Sequence, residues 1–180
     1  MINSDPNSTP GKNRGFSLIE LLIVVAIILI IAAIAIPNLL KARMAANEAS
    51  AASGVRTITS AAVVYSTTWS NGLPPTIGVL GGAGVAATCD FADLLDPTIA
   101  NAPNTKSGYI YSYTGLGPPV PVGPGCAAPG YNEYLVTAVP VIPGITGMRS
   151  FCSDEPGVIH FDVTGATPGS VAACIALPEL

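Results

Sequence analysis

Leu21 to Ile36 is an unbroken run of sixteen apolar residues. A helix on the surface of a soluble domain keeps one polar face, so an all-round apolar helix belongs in a large core or in a membrane. Extended back to Phe16, the stretch has 21 residues, of which only Ser17 and Glu20 are polar. At 1.5 Å per residue it reaches ~30 Å, the hydrocarbon thickness of one bilayer. A cleaved secretory signal is the competing reading. Its apolar core is shorter, ~7–15 residues, and ends in a small-residue cleavage site. Here the run flows on into a helical pattern, so residues 16–36 are read as a transmembrane helix.

Beyond Pro37 the chain becomes alanine-rich and sparsely charged. Met44, Ala51, Val55, Ile58, Ala62, Tyr65 and Trp69 recur at steps of three, four or seven, which is the apolar stripe of one helix. Asn71-Gly72 and Pro74-Pro75 end it. A single helix from Phe16 to Ser70 is expected, ~80 Å long. Pro37 should bend it by removing a backbone hydrogen bond, and Gly54 is a second weak point. The amphipathic half needs a sheet to cover its stripe. Four strands are expected: Tyr109–Thr114, Glu133–Val139, Met148–Ser153 and Val158–Val163. Asp154-Glu155-Pro156-Gly157 turns the chain between the last two. Residues 73–88, 115–130 and the tail from Gly165 read as loops, and Asp90–Leu95 as a short helix ending at Asp96-Pro97.

The chain has only 10% charged residues, against ~25% in an ordinary soluble domain. With seven Lys and Arg against eleven Asp and Glu, a basic nucleic-acid surface is excluded. From residue 57 onward, Lys106 and Arg149 stand against eight acids, so the head is acidic and no direct nucleic-acid binding is expected. Cys89, Cys126, Cys152 and Cys174 form no CxxC pair, which disfavours zinc or thioredoxin chemistry. They suit two disulfides in an oxidising compartment. Three connectivities are open, and the preferred one, Cys89–Cys126 with Cys152–Cys174, closes two separate loops. Basic residues flank the apolar run equally, so charge does not orient it. The cysteines do: the C-terminal part lies outside and the N-terminus in the cytoplasm.

The most specific stretch is Lys12-Asn13-Arg14-Gly15-Phe16-Ser17-Leu18-Ile19-Glu20-Leu21. It resembles the N-terminus of type IV prepilins and type II secretion pseudopilins. The resemblance implies a leader, residues 1–15, removed by a prepilin peptidase between Gly15 and Phe16, and N-methylation of Phe16. It implies that Glu20 serves assembly by pairing with the N-terminal amine of a neighbouring Phe16. Pro37 matches the position where that family bends its helix. Glycine before the cut leaves a bare backbone for the protease. An acid in the first helical turn suits the helix dipole, and near the end of a span it costs less than at the centre.

Weaker signals are read as structural. Asp90, Asp93 and Asp96 share a three-residue spacing, and Asp154, Glu155 and Asp162 flank the last hairpin. Both sets carry the oxygen ligands calcium takes, and both are read as solvated acids; the resemblance to calcium-holding pseudopilin heads leaves the second set a weak calcium candidate. No other cofactor is implied. His160 is a strand residue. Gly78 to Gly84 lacks the Lys-Ser/Thr of a phosphate loop.

These readings combine into an α+β, pilin-like fold. A long N-terminal helix, transmembrane in its first half, packs on a four-stranded antiparallel sheet with disulfide-closed loops, residues 37–180 forming the second helix half and the head. The function implied is a non-enzymatic filament subunit. Its partners would be like subunits, the peptidase, the inner membrane, and an assembly platform with its ATPase. It would be a single-pass inner-membrane protein before assembly and a periplasmic or surface filament afterwards. A pseudopilin of type II secretion is the alternative. A membrane-anchored periplasmic enzyme or binding module is the rival from another class.

Overall fold

The computed structural model describes residues 15–180 except Ala83, Val85 and Pro156. The expected leader, apart from Gly15, lies outside the described residues, Lys12 and Arg14 included. The chain divides into two compact units, Met1–Leu39 and Leu40–Leu180. Helix α1, Leu18–Trp69, supplies the regular structure of the first unit among the described residues and the opening helix of the second. Phe16, just ahead of α1, and the large apolar side chains of α1 within the first unit are exposed, from 77% at Phe16 to 57% at Ile36. By length and composition this helix could cross a membrane. Pro37 lies inside α1.

In the second unit α1 buries Ala51, Val55, Ile58, Ala62 and Tyr65 of the stripe expected from the spacing, together with Ala52 beside it. Met44 and Trp69, at its ends, are half-buried. The helix stops at Trp69 because Ser70 takes a positive φ of 50°, followed by Gly72 at 70°. Gly54 proves to be a contact point. A β-carbon there would lie 2.5 Å from Tyr111 Oη and 2.6 Å from its Cε1, so only glycine lets the helix approach the sheet this closely.

The sheet has five antiparallel strands in sequence order: β1 Thr105–Lys106, β2 Tyr109–Pro119, β3 Tyr131–Pro140, β4 Ser150–Ser153 and β5 Ile159–Asp162. Four strands were expected. The additional one, β1, is two residues long, too short for any alternation to reveal it. It pairs with the start of β2 across a Ser107-Gly108 turn with φ of 51° and 72°, the two positive values of a tight hairpin. Beyond Ile110 that side of β2 is met by single loop contacts, Asn104 at Tyr111, Thr76 at Thr114 and Pro75 at Gly115, and past these it becomes an edge. That is why β2 continues through Pro118 and Pro119 instead of stopping at Thr114, with a register shift between Leu116 and Pro119. Tyr109, Tyr111 and Tyr113 alternate inward and are buried beneath α1 together with Tyr134, Val136, Ala138 and Phe151.

One helix reading and two loop readings are corrected. Asp90–Leu95 is not a helix. Asp93 has φ 51°, and Asp96-Pro97 begins a helix instead of ending one. In α2, Pro97–Ala100, Asp96 is the N-cap and Pro97 the first helical residue, positions both types favour. Residues Ile77–Leu80 form a 3-10 turn. The C-terminal tail carries α3, Val171–Ile175, capped by Ser170 Oγ accepting from Ala173 N at 3.1 Å. Two disulfides, Cys89–Cys126 and Cys152–Cys174, close loops of 37 and 22 residues. The loop holding Cys126 is also tied to the end of α1 through Asn71, which is fully buried. Its Oδ1 accepts from Gly123 N at 2.7 Å, and its Nδ2 donates to Ala128 O at 3.1 Å.

Candidate functional site

The residues singled out for processing and assembly open the described part of the first unit. Ser17 precedes the first helical residue and is the N-cap, which puts Glu20 at the third helical position. The backbone N–H of Ser17 donates to Glu20 Oε2 at 3.3 Å, and Leu21 N closes the first helical bond on Ser17 O at 3.2 Å. This is the returning half of a capping box: the acid three residues into the helix satisfies the N–H of the cap residue. The signal is local, Ser-x-x-Glu ahead of an apolar run. It accounts for Ser17 and Glu20 as the two polar residues of the stretch. The helix N-terminus, with its unsatisfied N–H groups, holds the carboxylate's charge at the end of the apolar segment. Gly15 is in open space: a β-carbon there would meet nothing within 4 Å, and its φ is not positive. The fold itself therefore makes no demand for glycine at this position.

From Phe16 to Leu40 the helix presents an almost continuous exposed apolar surface, with a shallow notch lined by Leu18, Leu21, Leu22 and Val25 beside the Glu20 turn. A surface of this size marks contact with lipid or with other chains. Its one acid sits at the end, already engaged by Ser17 through a single oxygen, and retains further acceptor positions for a cation.

The prokaryotic N-terminal methylation motif family matches residues 10–36. The chain is also 69% identical over 35 residues to the type IV wide pilus major component PilA4 of Thermus thermophilus, a stretch covering 19% of this chain and 27% of that protein. It is 51% identical over 47 residues to the type IV major pilin protein PilA of Myxococcus xanthus, 26% of this chain and 21% of that one. The N-terminal segment carries this motif and is similar to the N-termini of type IV pilins. The pilin-type match spans about a quarter and about a fifth of those relatives' lengths. No solved structure matches the chain. Beyond the pilin segment the head stands on its own α+β geometry.

In the head the structure scatters the candidate ligands. Asp90 Oδ1 accepts from Ala127 N at 3.0 Å and ties two loops together. Asp96 Oδ1 accepts from both Thr98 N and Thr98 Oγ1, and its other oxygen pairs with Lys106 Nζ at 3.2 Å. The Thr98 hydroxyl, then the Thr98 N–H and Lys106, pull its carboxyl down to about 2. Asp154 and Glu155 sit at the turn of the β4–β5 hairpin, whereas Asp162 pairs across from Ser150 at the other end and caps Thr164. Among the described residues no three His, Cys, Asp or Glu side chains gather as a metal site requires. His160 is buried on β5, its Nδ1 2.9 Å from Leu177 O, so it joins the strand to the tail.

One charged residue of the head goes unmarked by motif reasoning. Glu48 is buried at 8% exposure and occupies the step of the α1 stripe between Met44 and Ala51. Its Oε1 accepts from Met148 N at 2.9 Å and its Oε2 from Arg149 Nε at 2.8 Å. Burial pushes its carboxyl up, but the Met148 N–H, the guanidinium and the Arg149 N–H together hold it below its ordinary value. Arg149 in turn lies over Phe151 and Phe161, 5.9 and 5.3 Å from their ring centres. Burial likewise raises the Tyr111 hydroxyl to about 12 and those of Tyr109 and Tyr113 further. The tyrosine face is thus neutral packing beneath the helix.

Proposed function

We propose that this chain is a structural, non-enzymatic subunit of a type IV pilus-like filament. A prepilin peptidase cuts between Gly15 and Phe16, Phe16 is N-methylated, and the subunit waits in the inner membrane as a single-pass protein with its N-terminus in the cytoplasm. A platform with its ATPase then moves it into a filament on the outer side. The observation that carries this reading is the exposed apolar α1 segment whose first turn is closed by the Ser17–Glu20 cap. Placed side by side, such segments bury one another. Since lipid is as apolar as the packed core, packing contacts and polar pairing drive the transfer more than water release does. Glu20, held at the helix end, can take the neighbouring Phe16 amine and so set the stagger between subunits. Like-to-like packing of this head-to-tail kind does not close and therefore grows. Pro37 is the hinge by which the apolar segment adjusts its direction on leaving the bilayer. That glycine at position 15 answers no need of the fold agrees with a demand set by the peptidase.

Both relatives matched by the N-terminal segment are described as pilus components, which favours a pilus over a secretion pseudopilus. Mass spectrometry of the mature N-terminus, combined with imaging of filaments sheared from cells, tests the reading. Methylated Phe16 and surface fibres containing this chain are expected. A mature chain starting at Ala45, or an uncut chain with no fibres, overturns it.

A further inference from the structure

The β3–β4 loop is stiff and presents apolar side chains outward. Thr146 Oγ1 lies 3.1 Å from both Ile142 N and Ile142 O, while Gly144 N donates to Gly147 O at 2.8 Å. The loop is clamped to α1 from outside: Asn47 Nδ2 donates to Thr146 O at 2.8 Å, and Glu48 accepts from Met148 N. With its backbone engaged in this way, Val141, Ile142, Ile145 and Met148 are left 44%, 49%, 67% and 50% exposed. Val163, 62% exposed, lies just ahead of Gly165, whose β-carbon position is 2.7 Å from Met148 O. A soluble head has no use for such a cluster; large exposed apolar patches mark contact surfaces.

Its location points to the partner. The second unit begins at Leu40, and Asn47 follows within the same helix about two turns, ~10 Å, later. Between them stand exposed Lys41 and Arg43 and no acid. Apolar side chains beside a cationic stretch are the pattern of a segment that settles into the headgroup layer of an anionic bilayer. Arg149 is already paired with Glu48, and Asp162, across from Ser150 on β5, is engaged by Thr164.

We propose that the Val141–Met148 loop docks onto the outer surface of the membrane that holds α1, with Lys41 and Arg43 on anionic phospholipid headgroups. The unassembled head is thereby held against the bilayer until extraction. This inference rests on the reading of α1 as a membrane span.

The test uses the full chain in vesicles of phosphatidylcholine and phosphatidylglycerol in equal parts, native disulfides intact. An environment-sensitive fluorophore is placed on an added cysteine by Ile145→Cys, Val122→Cys or Leu29→Cys, and nitroxide lipids quench at shallow or deep positions. Val122 belongs to the loop tied to Asn71, at the other end of the second unit's helix. The Ile145 label should lose intensity with the shallow nitroxide, the Leu29 label with the deep one, and the Val122 label with neither. The Ile145 signal should weaken in pure phosphatidylcholine and in a Lys41→Gln/Arg43→Gln background. An Ile145 label that stays as bright as Val122 while Leu29 is quenched overturns the docking and leaves the span intact. An unquenched Leu29 label overturns the membrane reading itself. Ile145 dimming that follows protein density and ignores nitroxide depth assigns the loop to a second copy and overturns the lipid proposal.

Discussion

Glu48 and Arg149, 101 residues apart in sequence, meet through a guanidinium–carboxylate contact of 2.8 Å that ties α1 to the start of β4. The acid is buried, while the arginine side chain is 39% exposed. Glu48 also accepts the two backbone N–H groups just ahead of β4, so it substitutes for strand pairing where the chain leaves the loop. Glu48→Gln keeps the shape and removes the charge. We expect it to cost about 1–2 kcal/mol, toward the lower end because solvent screens the arginine. The carboxyl is held below its ordinary value of 4.5. Its contribution is therefore complete above that value and is lost as pH falls through the lower folded-state pKa. Denaturation midpoints of the wild-type chain in detergent should drop between neutral and acid pH, and Glu48→Gln should remove part of that drop. An unchanged pH dependence in the variant would count against this role.

Gly54→Ala sets two effects against each other. Alanine favours the helix by about 1 kcal/mol. The new methyl, however, falls on Tyr111 Oη, Cε1 and Cζ at 2.5, 2.6 and 2.7 Å. Overpacking costs about 1–3 kcal/mol, so the variant should melt lower than the wild type. Tyr111→Phe in the same background should restore only part, because the ring carbons remain in the way. A higher melting temperature for the single variant would show that helix and sheet separate easily at this point.

The Cys152–Cys174 bridge closes 22 residues, and its loss should remove about 3 kcal/mol. The tail keeps other ties, with Leu180 N on Ile159 O and Phe161 N on Pro178 O, both within 3.0 Å. A Cys152→Ala/Cys174→Ala chain should thus keep its sheet but open first beyond Asp162. Limited proteolysis mapped by mass should find the earliest new cuts there. Earliest cuts in β2 or β3 would place the weak point elsewhere.

Glu20→Ala should insert and be processed normally while assembling poorly. Losing one charged hydrogen bond at each interface, about 1.5–3 kcal/mol, should lower sheared-filament yield by about tenfold or more. Wild-type yield with normal processing would remove Glu20 from assembly. The variant also loses the Ser17 cap, so Glu20→Gln, which preserves an acceptor for Ser17 N–H, separates capping from charge pairing.

Much of this protein is set by patterns a few residues wide. The apolar run, the Gly15-Phe16 junction, the Ser17–Glu20 spacing and the stripe from Met44 to Trp69 are each legible in the chain, because helix periodicity and capping act over one or two turns. What the chain alone left open depends on residues that meet only after the sheet has formed. The same stripe contains Glu48, which no local pattern singles out and whose partners, Arg149 and two backbone N–H groups, come from 100 residues away. Gly54 reads as a flaw in a helix until Tyr111 fills the space a side chain would occupy. Asp96-Pro97 reads as a stop, whereas the folded chain makes it a start, with Asp96 capping α2 and paired to Lys106 of β1. Strand β1 exists only because a two-residue turn folds it onto Tyr109 and Ile110. In each case a long-range pairing sets which neighbours a side chain meets, and with them its charge state or the room it has; no local period records that.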